Sequence, residues 1–360
     1  MDGWTNRRVT EALGIAHPII QAPMAGADSP EMTIAVSEAG GLGSLACATL
    51  SIDGIRSAVA RIRQSTQNPI NLNFFCHIPP TEDAEREGRW RDELSAYFAA
   101  FGVDAQTQLP FVNRAPFDAD LCAVVEDLKP EVVSFHFGLP APDLLARVKA
   151  TGAVILSSAT SVAEALWLEV NGCDMVIAQG AEAGGHRGMF LTQDITTQTG
   201  TFALVPQIVD AVKIPVIAAG SIADGRGVAA AMMLGADAVQ VGTAYLFCPE
   251  ARLNWMHAKA LTAARDDNTA LTNVFTGRPA RGIVNRLVRD IGPMSDLAPD
   301  FPTAGRALAG LRAAAEALGR NDFTNLWAGQ AAALSQAMPA GELTRKLAED
   351  AQRAMARHAD

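Results

Sequence analysis

The sequence predicts a (β/α)8 barrel, and three observations carry that prediction. Short apolar runs rich in Val, Ile and Ala recur eight times without polar alternation, as parallel strands buried on both faces do. Helical patterns with their own start and stop residues lie between most of them. Two segments, "GCDMVIAQG" from Gly172 and "GADAVQVGT" from Gly235, repeat one design: a helix-ending glycine, an aspartate, then a strand. Strands alternating with helices favour a closed TIM barrel over an open doubly wound sheet.

The elements follow in order. The strand candidates are PIIQAP (18–23), GLGSLACA (41–48), INLNFF (70–75), VVSFHFG (132–138), AVILSSA (153–159), DMVIAQG (174–180), IPVIAAG (214–220) and DAVQVGT (237–243). Ser29-Pro30 predicts a helix start, running through Ala39 to a stop at Gly40. Asp224 predicts a cap for GRGVAAAMMLG, which ends at Gly235. Two stretches exceed the minimal repeat. Residues 77–130 contain TEDAEREGRWRDEL, which predicts a long exposed helix and then a Pro-containing loop, read as an insertion after strand three. Residues 250–345 read as helical, broken at TGRPARG and APDFPTAG. The expected organisation is a barrel over 1–249 and a helical region over 250–360. That region packs on the barrel and covers its substrate side, and its last helix closes the barrel.

Composition bounds the function. Apolar residues are 49% of the 360-residue chain and charged residues 19%, enough core to exclude disorder. A net charge of −10 argues against a nucleic-acid or anionic-membrane surface. A local phosphate site stays open, because backbone N–H groups can hold one. The five cysteines are odd in number and lack a C-x-x-C, which fits reduced thiols and a cytoplasmic location. The N-terminal residues show no apolar core of a signal peptide, and no run has the length of a membrane span.

In a barrel the chemistry sits at the C-terminal ends of the strands. Those ends carry Ala22-Pro23-Met24, Asn73, His136, Ser157-Ser158, Gln179, Gly220-Ser221 and Gln240-Val241-Gly242-Thr243. Amides, hydroxyls and glycines gather there and carboxylates do not, which suits a neutral ring system with a phosphate better than a metal. The loops AAGSIADG and VGTAYL follow strands seven and eight, where barrels often bind phosphate. The hydroxyls of Ser221 and Thr243 can donate there, beside backbone N–H groups. GGLG (40–43) precedes a strand and reads as a helix stop, so no dinucleotide fingerprint is present. His17, His77, His257 and His358 show no ligand spacing, so no metal is expected. His136 lies between Phe135 and Phe137, and reads equally as a core histidine or a substrate contact, with Ser158 as a second candidate.

These stretches, taken together and in order, resemble the nitronate monooxygenase family, formerly called 2-nitropropane dioxygenases. The matching motifs are QAPMAG, NLNFF, SFHFGLP, EAGGHRG, AAGSIADGR and VGTAYL, with LWAGQAAALSQAMPAGEL near the C-terminus. The resemblance implies an FMN-dependent barrel enzyme over 1–249. It would oxidise alkyl nitronates with O2 to a carbonyl compound and nitrite, without a metal. By motif match, Ala22, Pro23 and Met24 lie along the flavin, and Asn73 and Gln179 hydrogen-bond its ring or ribityl chain. Gly184, Gly220, Ser221, Gln240, Gly242 and Thr243 surround the phosphate end, with Gly185 and Val241 beside them. His186 matches the family's catalytic histidine, as base toward a nitroalkane or as the positioner of an anionic nitronate. Glu182 either orients that imidazole or faces solvent. Gly184-Gly185 would let the loop pass close over the flavin. Relatives often carry two glycines where this chain has Gly220-Ser221, so an ordinary φ is expected at Ser221. Only Tyr97 and Tyr245 are tyrosines, so members with tyrosine-lined pockets are imperfect guides to the substrate site.

The expected partners are a small nitronate or nitroalkane and O2, with no nucleic acid or membrane; the oligomeric state stays open, a homodimer included. The alternative on the same fold is an FMN-dependent NAD(P)H:quinone or enoyl-thioester reductase. A non-catalytic flavin- or phosphate-binding barrel is the third reading.

Overall fold

The computed structural model describes residues 4, 6–106 and 114–357. His358 and residues 107–113 of the expected insertion lie outside the described residues. Each of the eight apolar runs is a strand: β1 Ile19–Gln21, β2 Gly43–Ala46, β3 Ile70–Phe75 and β4 Val132–His136. The rest are β5 Val154–Ala159, β6 Met175–Gln179, β7 Val216–Ala219 and β8 Ala238–Val241. All pair in parallel, in the order β1-β8-β7-β6-β5-β4-β3-β2. A bridge between Ile20 and Leu42 brings β1 to β2 and rounds the sheet into a barrel.

Strand alternation divides inside from outside. Ile19, Val176, Ala218 and Val239 face the helical ring, in one cluster with Val205 and Val228 of the helices. Ile20, Leu42, Val132, Leu156, Met175 and Ile217 face inward, and the N-terminal helix Arg8–Leu13 plugs that end with Val9 and Leu13. Burying each such aliphatic side chain contributes about 1.5–3 kcal/mol. Two to four residues further along the strands the inward positions turn polar: Asn73, Ser134, His136, Ser158, Gln179 and Gln240.

The predicted caps form. Ser29 Oγ accepts from Met32 N–H at the start of helix Pro30–Glu38, and Asp224 accepts from Arg226 and Gly227 N–H at helix Gly225–Met233. The last helix, Ala340–Ala356, packs between these two in the outer ring.

Three expectations need correction. The polar run after strand three is not one long exposed helix. It forms Ala84–Glu93 and then Ser95–Phe101. Trp90, Leu94, Tyr97 and Phe98 recur at helical spacing and are buried against Leu308, Leu311 and Phe323. The helix Ala119–Leu128, placed within the insertion by sequence, is the barrel helix between β3 and β4. The region after β8 is not wholly helical either. Thr269–Thr272 and Ala280–Ile283 form an antiparallel hairpin, and Gly185–His186 joins it as a third strand. These short strands carry too little periodicity to stand out between helices.

Candidate active site

A cavity of about 500 Å³ opens at the C-terminal ends of the strands. It is lined by Ala22, Pro23 and Met24 after β1, Asn73 on β3, His136 on β4 and Ser158 on β5. Gln179 on β6, Gly184, Gly185 and His186 after it, Gly220 and Ser221 after β7, and Gln240, Gly242 and Thr243 at β8 complete it. The structure therefore brings the predicted residues together, with one exception. Val241 faces outward into the helical layer, and its carbonyl accepts from Ala22 N–H at 2.8 Å.

The β7–β8 side is built from backbone. Gly220 has φ 124° and Ser221 has φ 54°, so the ordinary φ expected at Ser221 is wrong. Two successive positive φ values curl the chain into a concave turn that aims N–H groups at one point. A left-handed serine costs about 1 kcal/mol. The N–H groups of Ser221, Ile222, Gly242 and Thr243 have no acceptor among the described residues. Thr243 Oγ1 accepts from Gly329 N–H at 2.9 Å, which leaves its proton free to donate. Gln240 Oε1 is buried with no partner. Free backbone donors, a free hydroxyl and an orphan acceptor on one apolar-floored cavity fit a phosphate-bearing ring cofactor.

The β4–β6 side is built from side chains. Asn73 Nδ2 donates to Ser134 Oγ at 2.9 Å, so its carbonyl is left for a ligand. Gln179 differs from expectation, because both ends of its amide hold the histidine loop. Nε2 donates to His186 O at 3.0 Å and Oε1 accepts from Gly188 N–H at 2.7 Å. His136 Nε2 donates to His186 O at 3.2 Å, and Ser158 Oγ lies 3.0 Å from Nδ1. A ring nitrogen that donates to a carbonyl leaves the other to accept, so Ser158 donates to His136. Burial, then the charge of Arg278, lowers His136 to about 3. Both ring nitrogens of His136 are engaged, so it holds the loop through the His186 carbonyl, while His136 and Ser158 both line the cavity.

His186 has its ring between Phe137, Phe301 and Trp327, with centroids 6.2, 5.2 and 5.4 Å away. Its Nε2 lies 2.9 Å from Thr276 Oγ1. Burial, then the charge of Arg114, holds the imidazole well below its ordinary range, so it is neutral near pH 7. Glu182 is half-buried and does not hydrogen-bond this ring. Its carboxylate accepts from Thr201 N–H and Oγ1 at the start of helix Thr201–Ala211. The glycines differ in role too. A Cβ on Gly184 would sit 2.5 Å from Gly329 N, so backbone packing demands that glycine. Gly185 has φ 74° in open space, and that left-handed backbone, rather than close packing, favours glycine there.

Sequence reasoning missed four residues. Arg187 is fully buried and donates to Gln179 O, Gly180 O and Gln198 Oε1, fastening the loop to β6. Asp28 accepts from Met24 N–H at 3.1 Å and Ala46 N–H at 2.8 Å, fixing the β1 loop; burial raises it to about 7. Arg114 and Thr276 come from the segments outside the barrel repeat. Only Arg187, inside EAGGHRG, carried a usable signal: a charge in a glycine-rich loop just after a strand's end.

Fold and cavity together define a class, a (β/α)8 enzyme working at the C-terminal rim. A family model described as nitronate monooxygenase matches residues 6–350. A nitronate monooxygenase of Pseudomonas aeruginosa is 43% identical, over 95% of this chain and 98% of its own. One from Paraburkholderia phytofirmans is 42% identical, over 95% and 94%. The structure of a nitroalkane oxidase from Streptomyces ansochromogenes superposes with TM-score 0.86 at 37% identity, over 97% of this chain and 99% of that one. FabK from Thermotoga maritima gives TM-score 0.74 at 29% identity, over 98% of each. The chain belongs to the nitronate monooxygenase family of flavin-dependent oxidoreductases. Among the described residues no helix is long and apolar enough to cross a membrane.

Proposed function

We propose that the chain binds FMN and oxidises alkyl nitronates, and the nitroalkanes that give rise to them, with O2 to a carbonyl compound and nitrite. The observation that carries this reading is a neutral histidine lining the same cavity as a cradle of free N–H groups. The cradle after β7 and β8 would hold the FMN phosphate through Ser221, Ile222, Gly242 and Thr243. Ala22, Pro23 and Met24 would line the ring, with Asn73 and Gln240 offering it acceptors. Bound flavin supplies the redox chemistry between nitronate and O2.

The chain's own residues prepare the substrate. Neutral His186 takes the α-proton of a nitroalkane, and the electron pair of the broken C–H bond moves onto the nitro oxygens. A general base of this kind contributes about 10²–10⁴-fold. The negative charge that develops meets a cationic wall, since Arg114 and Arg312 line the same cavity and Arg114 has no carboxylate partner among the described residues. Phe137, Phe301 and Trp327 exclude water around the imidazole. A preformed nitronate needs no base, and His186 then only positions it.

The likeness to FabK supports a reductase as the second reading on the same scaffold. One experiment separates them. Purified protein is heated to release its cofactor, which should chromatograph as FMN. The holoprotein should then release nitrite from a nitronate in air without NAD(P)H. Steady NAD(P)H oxidation with a quinone or enoyl thioester, and no nitrite, would establish the reductase. Stoichiometric FAD would refute the FMN assignment.

A further inference from the structure

His186 and its partner Thr276 come from segments far apart in the chain. His186 follows β6, and Thr276 sits in the turn of the hairpin after β8. Pairing of Ala280 with His186 sets the register that brings them together. Gln179 and His136 hold the His186 carbonyl from the other side, so the backbone at this residue is fixed from two directions.

The hydrogen bonds of Thr276 determine which nitrogen of His186 carries the proton. Thr276 Oγ1 is 2.9 Å from His186 Nε2 and 3.4 Å from Arg278 O. A hydroxyl has one proton, and a carbonyl can only accept. No other group among the described residues donates to Arg278 O. The arrangement that uses both contacts sends the Thr276 proton to that carbonyl and leaves Oγ1 to accept from Nε2–H. The lone pair of the neutral ring then resides on Nδ1. That atom has no partner within the described protein and is not sealed from the cavity that His186 lines.

We infer that Thr276 is the positioning residue of the reaction, holding His186 as the Nε2–H tautomer so that Nδ1 is the atom that takes the substrate's proton. This rests on the reading of His186 as base. The α-C–H bond breaks, its proton forms an N–H bond at Nδ1, and its electron pair is delocalised over the nitro group. The resulting Nδ1–H faces the new nitronate oxygens, while Nε2–H keeps its bond to Thr276. A ring locked in the wrong tautomer has nothing to accept the proton with, and that error is worth orders of magnitude in other histidine bases.

The test uses flavin-loaded protein labelled with 15N-histidine, the His186 signals being assigned by their loss in His186→Asn. At neutral pH the wild type should show a protonated Nε2 and an unprotonated Nδ1. Thr276→Val keeps the shape and removes the acceptor. It should shift the signals toward the other tautomer and lower kcat/KM on a neutral nitroalkane about tenfold or more. Turnover of a preformed nitronate should change by less than about threefold, and Thr276→Ser should restore both substrates and the spectrum. A protonated Nδ1 in the wild type overturns the inference whether or not any variant folds. So does Thr276→Val with unchanged nitroalkane turnover, or with equal losses on both substrates. If His186→Asn itself leaves nitroalkane turnover intact, the base reading fails, and the spectrum still reports the tautomer separately.

Discussion

The two sides of the cavity are built by different means. The β7–β8 side is local: two consecutive βα units present backbone N–H groups through Gly220-Ser221 and Gly242-Thr243, and few side chains take part. The β4–β6 side is assembled: His186 needs Gln179 from β6, His136 from β4, Arg187 beside it and Thr276 from the hairpin after the barrel. A backbone cradle tolerates side-chain exchange wherever φ and space allow it. An assembled side chain fails when any of its supports is removed.

Substitutions at four positions probe that contrast, beginning with the largest effect. His186→Asn should reduce kcat/KM on a neutral nitroalkane by about 10²–10⁴-fold. Its loss on a preformed nitronate should be about tenfold at most, the worth of one hydrogen bond. Flavin content should be unchanged, since the two sides are separate. Because burial and Arg114 depress this imidazole, the nitroalkane kcat/KM of the wild type should stay level as pH falls through the ordinary histidine value of about 6.5. It should decline only in more acid solution, where the buried ring is finally protonated. A half-maximal point near pH 6.5 assigned to His186 would show that the ring is better solvated than its packing implies.

Arg187→Met should come next. The guanidinium is fully buried, and its loss leaves Gln179 O and Gly180 O without their charged donor. A cost of about 3–5 kcal/mol in denaturant unfolding is expected, with activity lost alongside. On the opposite side, Gly242→Val should weaken flavin binding by about 1.4–2.8 kcal/mol, tenfold to a hundredfold in Kd, without unfolding the barrel. The structure sharpens this: a Cβ there would meet Ala22 Cβ at 3.4 Å and Met24 Sδ at 4.0 Å, so Gly242→Ala should bind flavin almost normally. If Val is tolerated as well, the phosphate lies elsewhere. The smallest effect belongs to Ser221→Gly. Removing a left-handed serine at φ 54° should raise stability by about 1 kcal/mol at most, read as a small rise in Tm with flavin affinity unchanged. A loss of flavin affinity would mean that the Ser221 hydroxyl, rather than the backbone, holds the ligand.

The sequence by itself determined the barrel and where its chemistry sits. Buried parallel strands read as continuous apolar runs, so all eight were legible, and the polar residues at their ends, Asn73, Gln179, Gln240 and Thr243, were found because strand ends are local features. Motif spacing brought His186 to attention for the same reason. Tertiary structure decided what each of these groups does, because hydrogen-bond partners are set by contacts between distant segments. Nothing near Glu182 in the chain says that it caps the helix starting at Thr201. Nothing near Gln179 says that both ends of its amide serve the histidine loop. Ser221 looked unfit for a positive φ, since side-chain sterics alone oppose it, yet the turn that aims the N–H groups imposes one. Thr276 meets His186 only because a hairpin too short to show a period adds its strand to Gly185–His186, and that pairing depends on the folded barrel to hold both in place.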